Sequence, residues 1–135
     1  MSVVLDASVA LAWCFKDETS EYAARIIERV GGAGAHVPAI WPMEVGNAVL
    51  VAERRKRATP AETVEVLGLL RNLPIEVEPV AVDDVFGVVL TLARAHGLSV
   101  YDATYIELAL RRALPLATVD RRLGDVAARV GLKCA

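Results

Sequence analysis

Four acidic residues stand where the neighbouring sequence predicts the end of a strand or the start of a helix. They are Asp6, Glu44, Asp102 and Asp120. Asp6 directly follows the apolar run Val3–Leu5, and Asp120 follows the apolar stretch 116–119, so each ends a predicted buried strand. The other two acids fall in the first turns of predicted helices. Ligands of open α/β sheets bind outside the carboxyl ends of the strands, so the four carboxylates can converge there.

Converging carboxylates favour a hard divalent cation. Like charges a few ångströms apart raise each other's pKa values, and a bound cation reverses that penalty. Mg²⁺ takes oxygen ligands and retains several waters, and the four acids have no nearby Cys or His ligand of the kind that selects zinc. Such an ion lowers the pKa of a bound water and offsets charge on a phosphate. The pattern therefore predicts a Mg²⁺ or Mn²⁺ site.

Each of the four acids also has an ordinary structural explanation. Asp6 can cap a helix, and Glu44 can compensate a helix dipole. Asp102 can be the partner of Ser99 in the first turn of a helix, and Asp120 can be a turn residue. Only the combination of the four positions is specific.

Strands and helices alternate along the chain, which predicts a parallel sheet with helices on both faces and one α/β domain over residues 1–135. Short apolar or alternating runs predict strands at 3–5, 36–38, 75–78 and 116–119, with a last short strand at 132–134. Periodicity and capping residues predict helices at 8–15, 21–30, 41–57, 59–73, 83–96, 99–112 and 122–130.

Composition narrows the class of protein further. The 135 residues are 55% hydrophobic with a net charge of −2, which excludes disorder and argues against broad electrostatic capture of nucleic acid. An RNA substrate would therefore need a local basic patch. The densest basic run is 54–57, for which a solvated helix end is favoured over a phosphate contact. No apolar run of about 20 residues and no signal segment is present, so we expect a soluble cytoplasmic protein without a membrane span.

Four sequence motifs, in order, resemble those of PIN domains, especially VapC-type toxins. They are VLDAS at 4–8, PMEVGNA at 42–48, YDATYIELA at 101–109 and TVDRRL at 118–123. The third motif is the most specific, and the resemblance covers essentially the whole chain.

The resemblance implies a three-layer α/β/α fold and a single-stranded RNA endonuclease that requires Mg²⁺ or Mn²⁺. It further implies a homodimer and a cognate VapB-type antitoxin. Asp6 and Asp102 would be the main metal ligands, Glu44 would hold the metal or a water, and Asp120 would complete the cluster directly or through water. The supporting residues would be Ser8 and Thr118, through hydrogen bonds, and Asn47, one helical turn after Glu44.

The remaining acids and histidines have ordinary structural explanations. Glu107 lies about 140° around the helix from Asp102 and is expected to be a solvated surface acid, as is Asp125. His36 and His96 are expected to be core or surface histidines.

A receiver domain would need an adjacent acidic pair after the first strand, and an aspartate phosphatase would need a second Asp where Ser8 stands. A PIN-fold binding module without catalysis and a DNA- or structure-specific nuclease remain open.

Overall fold

A four-stranded parallel sheet forms the centre of the protein, in a computed structural model that describes residues 1–15 and 20–135. The strands are β1 (Val3–Leu5), β2 (Ala35–Pro38), β3 (Ile75–Glu78) and β4 (Leu116–Ala117). Their order is β3–β2–β1–β4, and every pairing between them is parallel. The chain thus moves outward from β1 in one direction and returns to its other side, which makes the boundary between β1 and β4 a topological switch point.

Helices cover this sheet and complete the predicted three-layer α/β/α fold. They are α1 (Ala7–Cys14), α2 (Glu21–Ala33), α3 (Trp41–Arg54), α4 (Pro60–Arg71), α5 (Val82–Asp84), a π-helical segment (Val85–Val89), α6 (Leu90–His96), α7 (Val100–Arg112) and α8 (Arg121–Arg129). In the described part of the chain, no helix is long and apolar enough to span a membrane.

The capping residues begin and end several helices where the sequence predicts. Thr59 and Glu62 form a complete capping box at the start of α4, each side chain bonding the other's backbone N–H. The Ser99 hydroxyl accepts from the backbone N–H of Asp102 at 3.0 Å and so begins α7. Gly97 ends α6 in the left-handed conformation, with φ of 64°, which a residue without a Cβ adopts readily.

Some predicted boundaries were wrong. Strand β4 ends at Ala117 instead of 119, because Thr118 turns its hydroxyl into side-chain contacts. The predicted last strand is reduced to a single bridge between Leu116 and Cys134. Helix α3 ends at Arg54 instead of 57, and Lys56 beyond it has a positive φ of 59°, which no helix accommodates. The helix predicted from 83 forms, but it contains an unpredicted π-helical segment.

Helix α7 packs directly against β1, β2 and β4, so seven consecutive residues, 103–109, are buried. Glu107 lies in this stretch and is only 5% exposed, so its prediction as a solvated surface acid was wrong. The packing leaves no solvent-facing side at that point of the helix. The burial is offset because Arg111, one turn later, donates to the Glu107 carboxylate at 2.7 Å. Asp125 on α8 is exposed, as predicted.

Candidate active site

The Asp6 carboxylate lies at the switch point of the sheet, directly after β1. Asp6 is at the N-cap position of α1, but its side chain makes no capping hydrogen bond. Instead its Oδ2 atom accepts from the Ser8 hydroxyl at 2.6 Å and from the Thr118 hydroxyl at 2.7 Å. The carboxylate is 6% exposed. The hydrogen bond from Thr118 is therefore a tertiary contact across the switch point, whereas that from Ser8 is local to the start of α1.

The two hydroxyls are themselves held by the turn that follows β4. Ser8 Oγ accepts from the backbone N–H of Val119 at 3.1 Å, and Thr118 Oγ1 accepts from that of Asp120 at 3.0 Å. Because each oxygen accepts from the backbone, its hydrogen is directed to Asp6. The chain thus fixes one carboxylate through two hydroxyls and two backbone amides.

Glu44 enters the same region from the first turn of α3. Its Oε1 atom accepts from the Tyr105 hydroxyl at 2.6 Å, and the Tyr105 oxygen accepts from the backbone N–H of Ala7 at 3.4 Å. Tyr105 is completely buried. Burial, together with the nearby Glu44 and Asp6 carboxylates, raises the pKa of the Tyr105 phenol, so it stays protonated. The exposed Asn47, one turn after Glu44, makes no side-chain hydrogen bond to another described residue.

The remaining two acids lie in or just before the first turns of α7 and α8. Asp102 is the third residue of α7, and its backbone N–H is capped by Ser99. Asp120 is the N-cap of α8, and its carboxylate accepts from the backbone N–H of Leu123 at 3.1 Å. Asp120 therefore caps α8, a structural role different from the turn residue considered from the sequence, while its charge also acts on Asp6 and Asp102.

The four carboxylates lie near enough to act on one another electrostatically, although no three of them place their ligand atoms within 4.8 Å of one another in the described part of the chain. Burial raises the pKa of Asp6, and repulsion from Asp120 adds to it although the Ser8 and Thr118 hydrogen bonds oppose it. Burial and then repulsion from Asp6 and Asp102 raise the pKa of Glu44, against its Tyr105 hydrogen bond. The pKa of Asp102 is raised by burial and by Asp6 and Asp120, with Arg122 opposing. We call Asp6, Glu44, Asp102 and Asp120 the acidic site.

The acidic site carries negative charge that the described residues do not neutralise. Within residues 1–15 and 20–135, none of its carboxylates forms an ion pair within 4.0 Å. The donors that it presents are carboxylate oxygens, with the Ser8 and Thr118 hydroxyls behind them. Such an oxygen-only set fits Mg²⁺ or Mn²⁺, and a cation there would relieve the repulsion that raises the three pKa values.

A second group of titratable side chains, not anticipated from the sequence, lies across β2 and β3. His36 Nδ1 is 3.5 Å from Glu76 Oε2 and 3.3 Å from Glu78 Oε1, so these ligand atoms are close enough together to hold an ion. Two arginines at the end of α7 occupy this position instead. Arg112 donates to both oxygens of Glu78, and Arg111 Nη1 lies 3.7 Å from it. We call His36, Glu76, Glu78, Arg111 and Arg112 the paired cluster.

Comparison with known proteins agrees with this architecture. The PIN-domain profile matches residues 3–129, and the chain therefore belongs to the PIN-domain family. The chain is similar to Ribonuclease VapC3 of Pyrobaculum aerophilum, with 30% identity over 125 residues, which are 93% of this chain and 94% of that protein. The crystal structure of PAE2754 from the same organism has a similar fold, with a TM-score of 0.70 and 26% identity over 93% of this chain and 87% of that one. The family resemblance read from the motifs is confirmed.

Proposed function

We propose that this chain is a Mg²⁺- or Mn²⁺-dependent endoribonuclease and the toxin component of a VapBC-type toxin–antitoxin system. The observation that carries the proposal is the mutually repelling set Asp6, Glu44 and Asp102, of which Asp6 is buried, and whose pKa values stay raised although the charge of Arg122 lowers that of Asp102. Charge of this kind is retained where a ligand uses it. The ribonuclease name of the similar VapC3 protein supports RNA as the substrate.

Within the proposal, each acid has its own role. Asp6 and Asp102 would hold the ion, Glu44 would hold it or a water beside it, and Asp120 would complete the site directly or through water. A bound ion would supply a water of lowered pKa and offset charge on the scissile phosphate. The Ser8 and Thr118 hydroxyls keep the Asp6 carboxylate in a fixed orientation, so that little reorganisation is needed when a ligand arrives.

Arg122 is the cation best placed to meet an RNA phosphate. Its charge lowers the pKa of Asp102, so it lies beside the acidic site, and its guanidinium donates to the carbonyl oxygen of Gly97. Guanidinium groups bind phosphate oxygens in a planar, bidentate geometry. A local contact of this kind would compensate for a chain whose net charge of −2 attracts no polyanion.

The proposal is tested by replacing the two central ligands with neutral residues of the same shape. We expect Asp6→Asn and Asp102→Asn each to abolish Mn²⁺-dependent cleavage of single-stranded RNA, measured by gel electrophoresis of an end-labelled substrate. Asp125→Asn, which changes an exposed aspartate on α8, is the matched control and should cleave like the unchanged protein. Circular dichroism of every variant establishes that it is folded.

Full RNA cleavage by Asp6→Asn or by Asp102→Asn would contradict the proposed mechanism. A single-stranded DNA substrate of the same sequence, tested in parallel, separates a ribonuclease from a DNA nuclease. Binding of RNA without cleavage at any Mn²⁺ concentration would favour a PIN-fold binding module.

We also propose that the chain forms a homodimer and binds a VapB-type antitoxin. Apolar side chains exposed near the π-helical segment support an interface: Val82 is 65% exposed, Phe86 71% and Val88 45%. Light scattering at micromolar concentration should give the mass of a dimer, and a monomer would contradict the first part. A neighbouring reading frame whose small DNA-binding product co-purifies with this chain would support the second.

A further inference from the structure

Tyr105 joins three elements of the acidic site through one atom. Its side chain comes from α7, its hydroxyl donates to Glu44 Oε1 on α3, and its oxygen accepts from the Ala7 N–H at the start of α1. We infer that Tyr105 is a positioning residue, which holds the Glu44 carboxylate toward the metal-binding position through this 2.6 Å hydrogen bond. The inference rests on the proposed function, since it assigns a residue that serves the same site.

The two carboxylates have different needs for such support. Asp6 has a short side chain, and two hydroxyls hold it. Glu44 has one more rotatable bond, is only partly buried, and has Tyr105 as its one side-chain hydrogen-bond partner among the described residues. Without that bond the carboxylate can rotate away from the repelling Asp6 and Asp102 charges. The loss of a single donor therefore matters more for Glu44 than for Asp6.

The position of Tyr105 in the sequence makes this arrangement possible. Tyr105 comes three residues after Asp102, and residues three apart on a helix lie on the same side. Helix α7 thus brings a carboxylate and the anchor of a second carboxylate to one place. Complete burial of the Tyr105 ring fixes the direction of its hydroxyl, because a packed ring has little freedom to move.

The direction of the hydrogen bond follows from its partners. The backbone N–H of Ala7 can only donate, so the phenol oxygen accepts there, and the phenol hydrogen is left for the Glu44 carboxylate. Phe differs from Tyr only by this hydroxyl. Tyr105→Phe therefore removes the anchor while the ring can keep its packing.

A double-mutant cycle on Mn²⁺ binding tests the inference without using catalysis. We would measure the Mn²⁺ dissociation constant by isothermal titration calorimetry for the unchanged chain, Tyr105→Phe, Glu44→Gln and the double variant. We expect Tyr105→Phe to weaken binding about 10-fold, as is typical when a residue that orients a metal ligand is lost. In the Glu44→Gln background the same change should have little further effect, since a positioning residue acts only through its partner.

The control is Tyr101→Phe, which removes a phenol from the same helix at a position 61% exposed and should leave Mn²⁺ affinity unchanged. Unchanged affinity in Tyr105→Phe would overturn the inference, and so would equal weakening in both backgrounds, which would indicate a general structural role. If Tyr105→Phe does not fold, Glu44→Asp replaces it. That shorter side chain withdraws the carboxylate from the phenol, so undiminished Mn²⁺ affinity in it would equally overturn the inference.

The failure of the proposed function has a different signature. A chain that binds no Mn²⁺ even when unchanged would defeat the nuclease proposal and the inference together. A chain that binds Mn²⁺ and loses nothing in Tyr105→Phe would defeat the inference alone.

Discussion

The acidic site and the paired cluster each contain one buried carboxylate, Asp6 in the first and Glu78 in the second, and α7 contributes to both. Asp102 in its first turn belongs to the acidic site, whereas Arg111 and Arg112 in its last turn belong to the paired cluster. Burial alone would raise the pKa of Glu78, but the hydrogen bond and charge of Arg112, with His36 and Arg111, outweigh burial and leave that pKa lowered. The pKa values of Asp6, Glu44 and Asp102 in the acidic site remain raised.

The difference separates an acid that stabilises the fold from acids for which we propose a ligand. The charge of Glu78 is matched within the described chain, so it favours the folded state. The charge of the acidic site forms no ion pair with another described residue, so it opposes folding unless a cation is bound. Proximity of possible ligand atoms alone would point to the wrong group, since among the described residues it is His36, Glu76 and Glu78 whose ligand atoms all lie within 4.8 Å of one another.

The largest expected effect separates the two groups by their response to Mn²⁺. At a Mn²⁺ concentration about 100 times the dissociation constant, binding to the folded state adds about 2.7 kcal/mol to the free energy of unfolding. We expect the unchanged chain and Glu78→Gln to gain this stabilisation in urea unfolding and Asp6→Asn to lose it. If Glu78→Gln lost the stabilisation and Asp6→Asn kept it, the ion would bind at the paired cluster.

The next effect is the loss of the ion pairs of Glu78. Glu78→Gln should lower the free energy of unfolding by about 2 kcal/mol, because a buried group loses hydrogen bonds to charged partners, which are themselves partly exposed and become hydrated. Glu76→Gln is the matched control, since Glu76 has a side chain 68% exposed and should change stability little. If the two substitutions lowered the free energy of unfolding equally in thermal or urea unfolding, the prediction that Glu78 stabilises the fold more than Glu76 would be wrong.

A smaller effect of opposite sign is expected in the acidic site. A raised pKa means that folding favours the neutral form of Asp6, so a neutral residue of the same shape should be better tolerated. In EDTA at pH 7, Asp6→Asn should raise the free energy of unfolding by about 0.5–1 kcal/mol, while Asp125→Asn on the surface should not. If Asp6→Asn were destabilised instead, the hydrogen bonds from Ser8 and Thr118 would require the negative charge of Asp6.

The smallest effects are in how the contributions of Glu78 and Asp6 to the free energy of unfolding change with pH. The two contributions should change in opposite directions. Glu78 has a lowered pKa, so its stabilisation is full above its ordinary value of 4.5 and is lost as the pH falls through the folded-state value. Asp6 has a raised pKa, so its penalty is absent below its ordinary value of 3.8 and grows as the pH rises to the folded-state value. Metal-free urea unfolding from pH 3 to 7 would measure both, and parallel profiles would contradict the assignment.

Local sequence was sufficient for most of the fold. Strands β1 and β3 and the starts of α4 and α7 lie where apolar runs and capping residues place them, because both signals act over a few residues. Three of the four acids also had raised pKa values, which is consistent with the convergence expected at a switch point.

The errors concern contacts between residues distant in sequence. Tyr105 was missed as part of the site because a Tyr on the buried face of a helix is typical of packing, and its partner Glu44 lies 61 residues away. Its spacing of three from Asp102 was the one available signal. The paired cluster was missed for the same reason, since Arg112 meets Glu78 across 34 residues. Glu107 was placed on the surface because its burial depends on how closely α7 packs on the sheet.

The bond between Thr118 and Asp6 spans 112 residues, and this separation bears on the order in which the protein is made. A nascent chain carries Asp6, Ser8 and Glu44 early, but β4 can pair with β1 only when residues 116–117 have also left the ribosome. Until then Asp6 lacks one of its two hydroxyl donors, and Asp120 is absent. An incomplete chain emerging beside ribosomal and messenger RNA therefore has no complete acidic site.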